Sequence, residues 1–223
     1  MRNLSRVFFV IKLIVFKDLL EELKSKEIFI SIISYSVLVL VVVATTSTVN
    51  SSVDFFATIF WISLSFSIIL GINKSMTKEF ENNGIEFLIT SPIDKEVIII
   101  AKFISNLFFI TISSFFILIF NNVILNYDLF ELSFFLLVIS INIGFSIIGT
   151  ITYLLFSKVR GKEILSPMLF IPLVTPLLMG GSVLTNQIIE NDIKNISWFG
   201  LIVAYDLLFL LIGLLISNII FEE

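Results

Sequence analysis

Few residues in this 223-residue chain have a type and spacing that could do chemistry. Glu79, Glu81 and Glu86 gather in one polar stretch between apolar runs, Asp206 stands alone inside an apolar run, and Pro167, Pro172 and Pro176 recur within another. The chain has no His and no Cys, which removes the thiolate nucleophile, the disulfide framework, the commonest general base and the commonest zinc, copper and haem ligands. Apart from the start of the chain and its polar loops, the thioethers are Met168 and Met179. No Gly opens a G-x-x-x-x-G-K-[ST] loop, since Gly161-Lys162 runs into Glu163 and has no Gly at the required spacing before it. What remains is charge complementarity, a lone acid in an apolar setting, and backbone bending by proline. These point to a non-catalytic protein with no catalytic, metal or cofactor residues of its own.

The elements that must hold these residues are membrane helices. Mean hydropathy is +1.09, 57% of residues are hydrophobic and 14% are charged, which is far from the composition of a soluble domain. Crossing about 30 Å of hydrocarbon takes about 20 apolar residues as helix. Windows at 29–47, 53–72, 103–125, 131–156, 164–184 and 198–220 qualify, and the segments between them are too short for a soluble core. Of 14 Lys and Arg, 13 fall in residues 1–28, 73–102 and 157–163, and only Lys194 lies elsewhere. That alternation predicts six spans with both termini in the cytoplasm. The net charge of −4 is not read as evidence about nucleic acid, because in a membrane protein the loop distribution matters more than the sum.

Before the first span, Phe9, Leu13, Phe16, Leu20 and Leu23 recur at helical spacing opposite Asp18, Glu21, Glu22, Ser25 and Lys26. This predicts an interfacial amphipathic helix over residues 1–28, serving either as a membrane-surface anchor or as a surface for a cytoplasmic partner. Between the second and third spans, residues 78–82 continue the second helix outward and Asn83-Gly84 supplies a turn. Residues 85–90 form a short helix with Ile85, Leu88 and Ile89 on one face and Glu86 on another, and Pro92 ends it. In the fifth span the three prolines remove backbone donors, so the helix is expected to bend or unwind and to pack inside the bundle or at an interface. The bend reads equally as a packing device and as a gate. Asp206 is expected to face the bundle interior, be protonated or find a polar partner. It either lines a substrate or partner surface or hydrogen-bonds a neighbouring helix.

The stretch Gly84-Ile85-Glu86-Phe87-Leu88-Ile89-Thr90-Ser91-Pro92, followed by Lys102, resembles the cytoplasmic segment of ABC-2-type transporter permeases. Within that group the chain is similar to the CcmB family, the haem-exporter membrane subunits of cytochrome c maturation. The supporting residues are Arg160-Gly161, then Pro172 and Pro176, then Gly180-Gly181, together with Lys17-Asp18-Leu19 to Lys26-Glu27. It departs from that family's pattern at Asn83 and Lys162, where the family has Gly, and in the first Pro of the pair, one residue late.

The resemblance implies an all-α, ABC-2 permease-like fold in a prokaryotic inner membrane, with a short external re-entrant or helical element over 184–196. It implies a separate ATPase subunit (CcmA-like) that carries the ATP, and residues 73–102 as the coupling segment to it. In that segment Ile85, Leu88 and Ile89 are the contacts buried in the ATPase, Glu79, Glu81 and Glu86 give charge complementarity, and Gly84 and Pro92 bound the helix. Further implied partners are a haem-handling subunit (CcmC-like), a small subunit (CcmD-like) and a periplasmic haem chaperone (CcmE-like). A homodimer is allowed and nucleic acid is not a partner. Haem would be handled by the complex, through ligands on other subunits. Two other functions fit the residues: an ABC-2 exporter for a lipid, glycan or drug, and a membrane scaffold without transport.

Overall fold

Apolar runs longer than about 18 residues can satisfy their backbone in hydrocarbon only as helices, and the computed structural model is built accordingly. It describes residues 4–46, 53–81, 84–125, 131–157, 159, 161–190 and 197–222. The described elements are α1 (Leu4–Ser25), α2 (Glu27–Thr46), α3 (Val53–Glu81), α4 (Gly84–Thr90), α5 (Lys95–Leu125), α6 (Leu132–Phe156), α7 (Lys162–Ile189) and α8 (Ser197–Glu222).

Five of these are long and apolar enough to cross a membrane, namely α3, α5, α6, α7 and α8. The expected first span at 29–47 falls on α2. There the helices α1 and α2 meet at an angle of 65° and pass the same test only as a bent pair. The break has a local cause: Lys26 sits at φ 55°, in the left-handed region, so the helix cannot run through it. Glu22, buried at 4% exposure, receives the Phe29 N–H on its carboxylate at 3.3 Å and so caps the start of α2 from the end of α1.

In the interior, α6 packs against α3, α5, α7 and α8, and most of it is buried. α7 lies against α6 and α3, where the Trp61 indole N–H donates to Thr185 Oγ1 at 3.0 Å. α8 is the least covered span. Despite Pro167, Pro172 and Pro176, α7 is one unbroken element of 28 residues, so the expectation that it might unwind is not met. A neighbour helps: Tyr205 Oη on α8 donates to the Leu173 carbonyl at 2.7 Å, three residues before Pro176, where a proline bend weakens the helical bond. Residues 184–189, expected to start a separate external element, instead prolong α7. The rest of that element, 191–196, lies outside the described residues.

The amphipathic stripe of α1 faces away from the protein. Phe9, Leu13, Phe16, Leu20 and Leu23 are all exposed, while Ile14, Asp18 and Glu22 turn toward α5 and α2. The apolar side of α1 is thus left to lipid or a partner, while Asp18 and Glu22 are directed into the protein.

Candidate functional site: a buried ion cluster beside the short helix

Charged side chains collect where α3 runs past its apolar part and α5 begins. The Asp94 carbonyl accepts the Val97 and Ile98 N–H groups at 2.9 and 3.3 Å and so starts α5. Two turns later Lys102 points inward at 3% side-chain exposure. Its ammonium donates to both oxygens of Asp18 on α1, at 3.0 and 2.9 Å, and to the Glu79 carboxylate on the last turns of α3. Lys17 completes the group from the rim, 3.0 Å from Glu79 Oε1 and 3.5 Å from Asp18 Oδ1.

Two carboxylates therefore meet two ammoniums, and three helices are joined through one buried amine. Desolvating an ion costs several kcal/mol, so the arrangement holds only because each charge has close, hydrogen-bonded partners. A cavity of about 40 Å³ beside it is lined by Asp18, Glu22, Glu79, Lys102, Ser105 and Asn106, among others.

The short helix α4 adjoins this cluster. A Cβ on Gly84 would lie 3.0 Å from Glu79 Cγ and 3.3 Å from the Glu79 carbonyl oxygen, so the first turn of α4 rests directly on Glu79. At its other end the chain bends over residues 91–93, as Pro92 requires, and Ser91 Oγ closes the last turn on the Phe87 carbonyl at 2.7 Å.

Two expectations for this segment are corrected. Leu88, expected to face a partner, is 7% exposed and belongs to the chain's own core. Phe87, at 73% exposure, points outward instead. Glu79, expected to offer charge to a partner, is consumed by Lys102 and Lys17. For Leu88 the cause is that the periodicity of a seven-residue helix defines a face without saying what the face meets; for Glu79 it is that both its partners lie far off in the chain. The side chains of Glu81, Ile85, Glu86 and Ile89 lie outside the described residues, as does Arg160. Gly161 is described. At φ 88° it takes a left-handed conformation suited to glycine and accepts the Ile164 and Leu165 N–H groups at the start of α7.

Sequence alone placed Lys102 and Lys17 within a family resemblance and Asp18 there and on the polar face of α1, with no hint that they pair with one another. A signal existed. Lys102 follows the apolar run Val97 to Ala101 on a helix continuing into a span, and a cation so placed needs an acid.

Asp206 is brought near none of these groups. It is 7% exposed on α8, and its Oδ1 would lie 2.3 Å from a Cβ on Gly144 of α6, with Leu177 of α7 adjoining. It faces the bundle interior, and Oδ1 has no hydrogen-bond partner among the described residues. The prolines of α7 lie on the helix that Tyr205 and Asp206 flank.

Neither the curated proteins nor the solved structures include a match to this chain. The family model described as "CcmB protein" matches residues 9–218, which takes in the ion cluster, α4, the proline-rich helix and Asp206. An all-helical membrane chain with a charged, interlocked end and no catalytic constellation among its described residues belongs, on that match, to the CcmB family, the membrane component of haem export for cytochrome c biogenesis.

Proposed function

We propose that this chain is the six-span, ABC-2-like permease subunit that couples ATP hydrolysis on a separate CcmA-like ATPase to haem delivery or release of a haem-loaded chaperone. In this reading α2 is the first span and α1 lies on the cytoplasmic surface of a prokaryotic inner membrane. Both termini are cytoplasmic, and CcmC-, CcmD- and CcmE-like subunits supply the haem ligands. The chain binds neither haem nor ATP alone.

One observation carries the proposal. α4 is a short helix that presents Phe87 outward and whose first turn rests on Glu79, itself bound through Lys102 to α5 and α1. A push on α4 therefore reaches α3 through Glu79, and α5 and α1 through Lys102. Phe87 anchors in the ATPase together with Ile85, Ile89, Glu81 and Glu86, and Glu79 passes the displacement inward.

The experiment compares two neighbours. Phe87→Asp leaves the fold intact but places an unpaired carboxylate in the interface, at a cost of several kcal/mol, so ATPase copurification falls by orders of magnitude. Leu88→Asp strikes the chain's own core and lowers the yield of folded protein before any partner is added. A Phe87→Asp protein that keeps its ATPase and supports normal cytochrome c maturation would refute α4 as the coupling helix.

A further inference from the structure

The antiparallel pair α5 and α6 meets along polar side chains. Asn106 Nδ2 donates to Thr150 Oγ1 at 2.9 Å, Ser146 Oγ to the Phe103 carbonyl at 2.8 Å, and Asn142 Nδ2 to Ser114 Oγ at 2.8 Å. On α5, Lys102, Asn106, Ser113 and Asn121 share one side at helical spacing, and all four are buried. At 1.5 Å per residue this line runs about 28 Å, close to the hydrocarbon thickness of about 30 Å.

Lys102 and Asn106 have partners on this line, but the described residues leave its farther half unsatisfied. Asn121 is 0% exposed, and neither its amide nitrogen nor its oxygen has a partner among the described residues. The same holds for Ser113 Oγ, at 0% exposure, and for Asn142 Oδ1. Polar atoms left bare in hydrocarbon cost several kcal/mol each, and a bundle that buries this many requires something to bind them. The cavity beside Lys102 reaches the start of the line, because Ser105 and Asn106 form part of its wall. At about 40 Å³ it has room for water, which needs only 10–15 Å³ measured in this way.

We infer that α5 and α6 enclose a seam of bound water running from the ion cluster at Lys102 to Asn121. The ligand is water because the free groups include both donors and acceptors, none is charged between Lys102 and Asn121, and the cavity at the Lys102 end is of water size. Water-bridged contacts can exchange partners where interdigitated apolar side chains cannot. The seam therefore lets α5 shift along α6 when its charged end is moved. The inference rests on the packing of these two helices and does not depend on any partner or cargo.

Radiolytic hydroxyl labelling of the purified full chain in lipid nanodiscs tests it, because bound water generates the radical beside buried side chains. Phe109, Ile110 and Ile117, all buried on α5, should be oxidised several-fold faster than the equally buried Phe170 and Val174 of α7. Asn121→Leu should suppress labelling at Ile117 and leave Phe109 unchanged. Asn121→Ala serves the same purpose if the larger side chain prevents insertion. Labelling of the α5 residues no faster than Phe170 would overturn the inference. So would an Ile117 rate unaffected by loss of the Asn121 amide in a folded variant.

Discussion

Lys102 and Asp206 are both buried ionisable side chains on apolar helices, yet their surroundings differ in kind. Lys102 is enclosed by two carboxylates drawn from α1 and α3, so its charge is answered within hydrogen-bond distance. Asp206 presents Oδ1 to a glycine and a leucine, and no donor reaches it among the described residues. A closed ion cluster fixes the relative register of the helices it joins, because any shift separates opposite charges in a medium of low dielectric. A lone acid fixes nothing in that way. The end carrying α4 is thus held together by charge, while the junction of α6, α7 and α8 is held by shape and by the neutral bond from Tyr205 to the Leu173 carbonyl.

The comparison can be broken at several points. Replacing Lys102 with Met leaves Asp18 and Glu79 facing each other with only the rim cation Lys17. The expected loss is about 3–5 kcal/mol, read as a large drop in melting temperature and in folded yield from detergent. A loss no greater than that of the rim variant below would remove the distinction between the two regions.

A smaller effect is expected where shape governs. Gly144→Ala places a methyl 2.3 Å from Asp206 Oδ1 and 2.5 Å from Leu177 Cδ1, both of which must move. Overpacking of this type costs about 1–3 kcal/mol. Adding Asp206→Ala should return part of that loss, so the pair is non-additive in thermal denaturation. Strict additivity would mean that Asp206 does not occupy the groove at Gly144. Smallest is Lys17→Ala, because 39% of that side chain is exposed. Its removal should cost less than about 1 kcal/mol, and the difference should shrink as salt is raised.

Much of this molecule was legible in the sequence because its dominant signal is one-dimensional. Long apolar runs located α3, α5, α6, α7 and α8, and Gly84 and Pro92 bounded α4 closely. Contacts between distant residues were not legible. Glu79 finds Lys102 and Lys17 at separations of 23 and 62 residues, so its three-residue neighbourhood suggested a free acid where the structure has a bound one. Leu88 was misread for the related reason that a short amphipathic helix has an apolar side whether it docks on its own protein or on another. The prolines of α7 suggested a bent or unwound helix where the structure has one continuous element, and the Tyr205 hydroxyl that bonds the Leu173 carbonyl comes from α8 and leaves no trace in the local sequence. The seam between α5 and α6 escaped notice because scattered Ser, Thr and Asn residues look like ordinary helix contacts until their partners are counted.

The bond between Lys102 and Asp18 spans 84 residues of chain, and that separation is also an interval of time. At a synthesis rate of about 5–20 residues per second, roughly 4–17 s pass between the emergence of the acid and that of its amine. During this wait α1 has no cluster to join. Its outward row of Phe9, Leu13, Phe16, Leu20 and Leu23 can keep it on the bilayer surface in the meantime, with Asp18 still in water. When Lys102 arrives, the acid leaves water for the cluster, and α1 is fastened only after α2, α3 and α4 have been made.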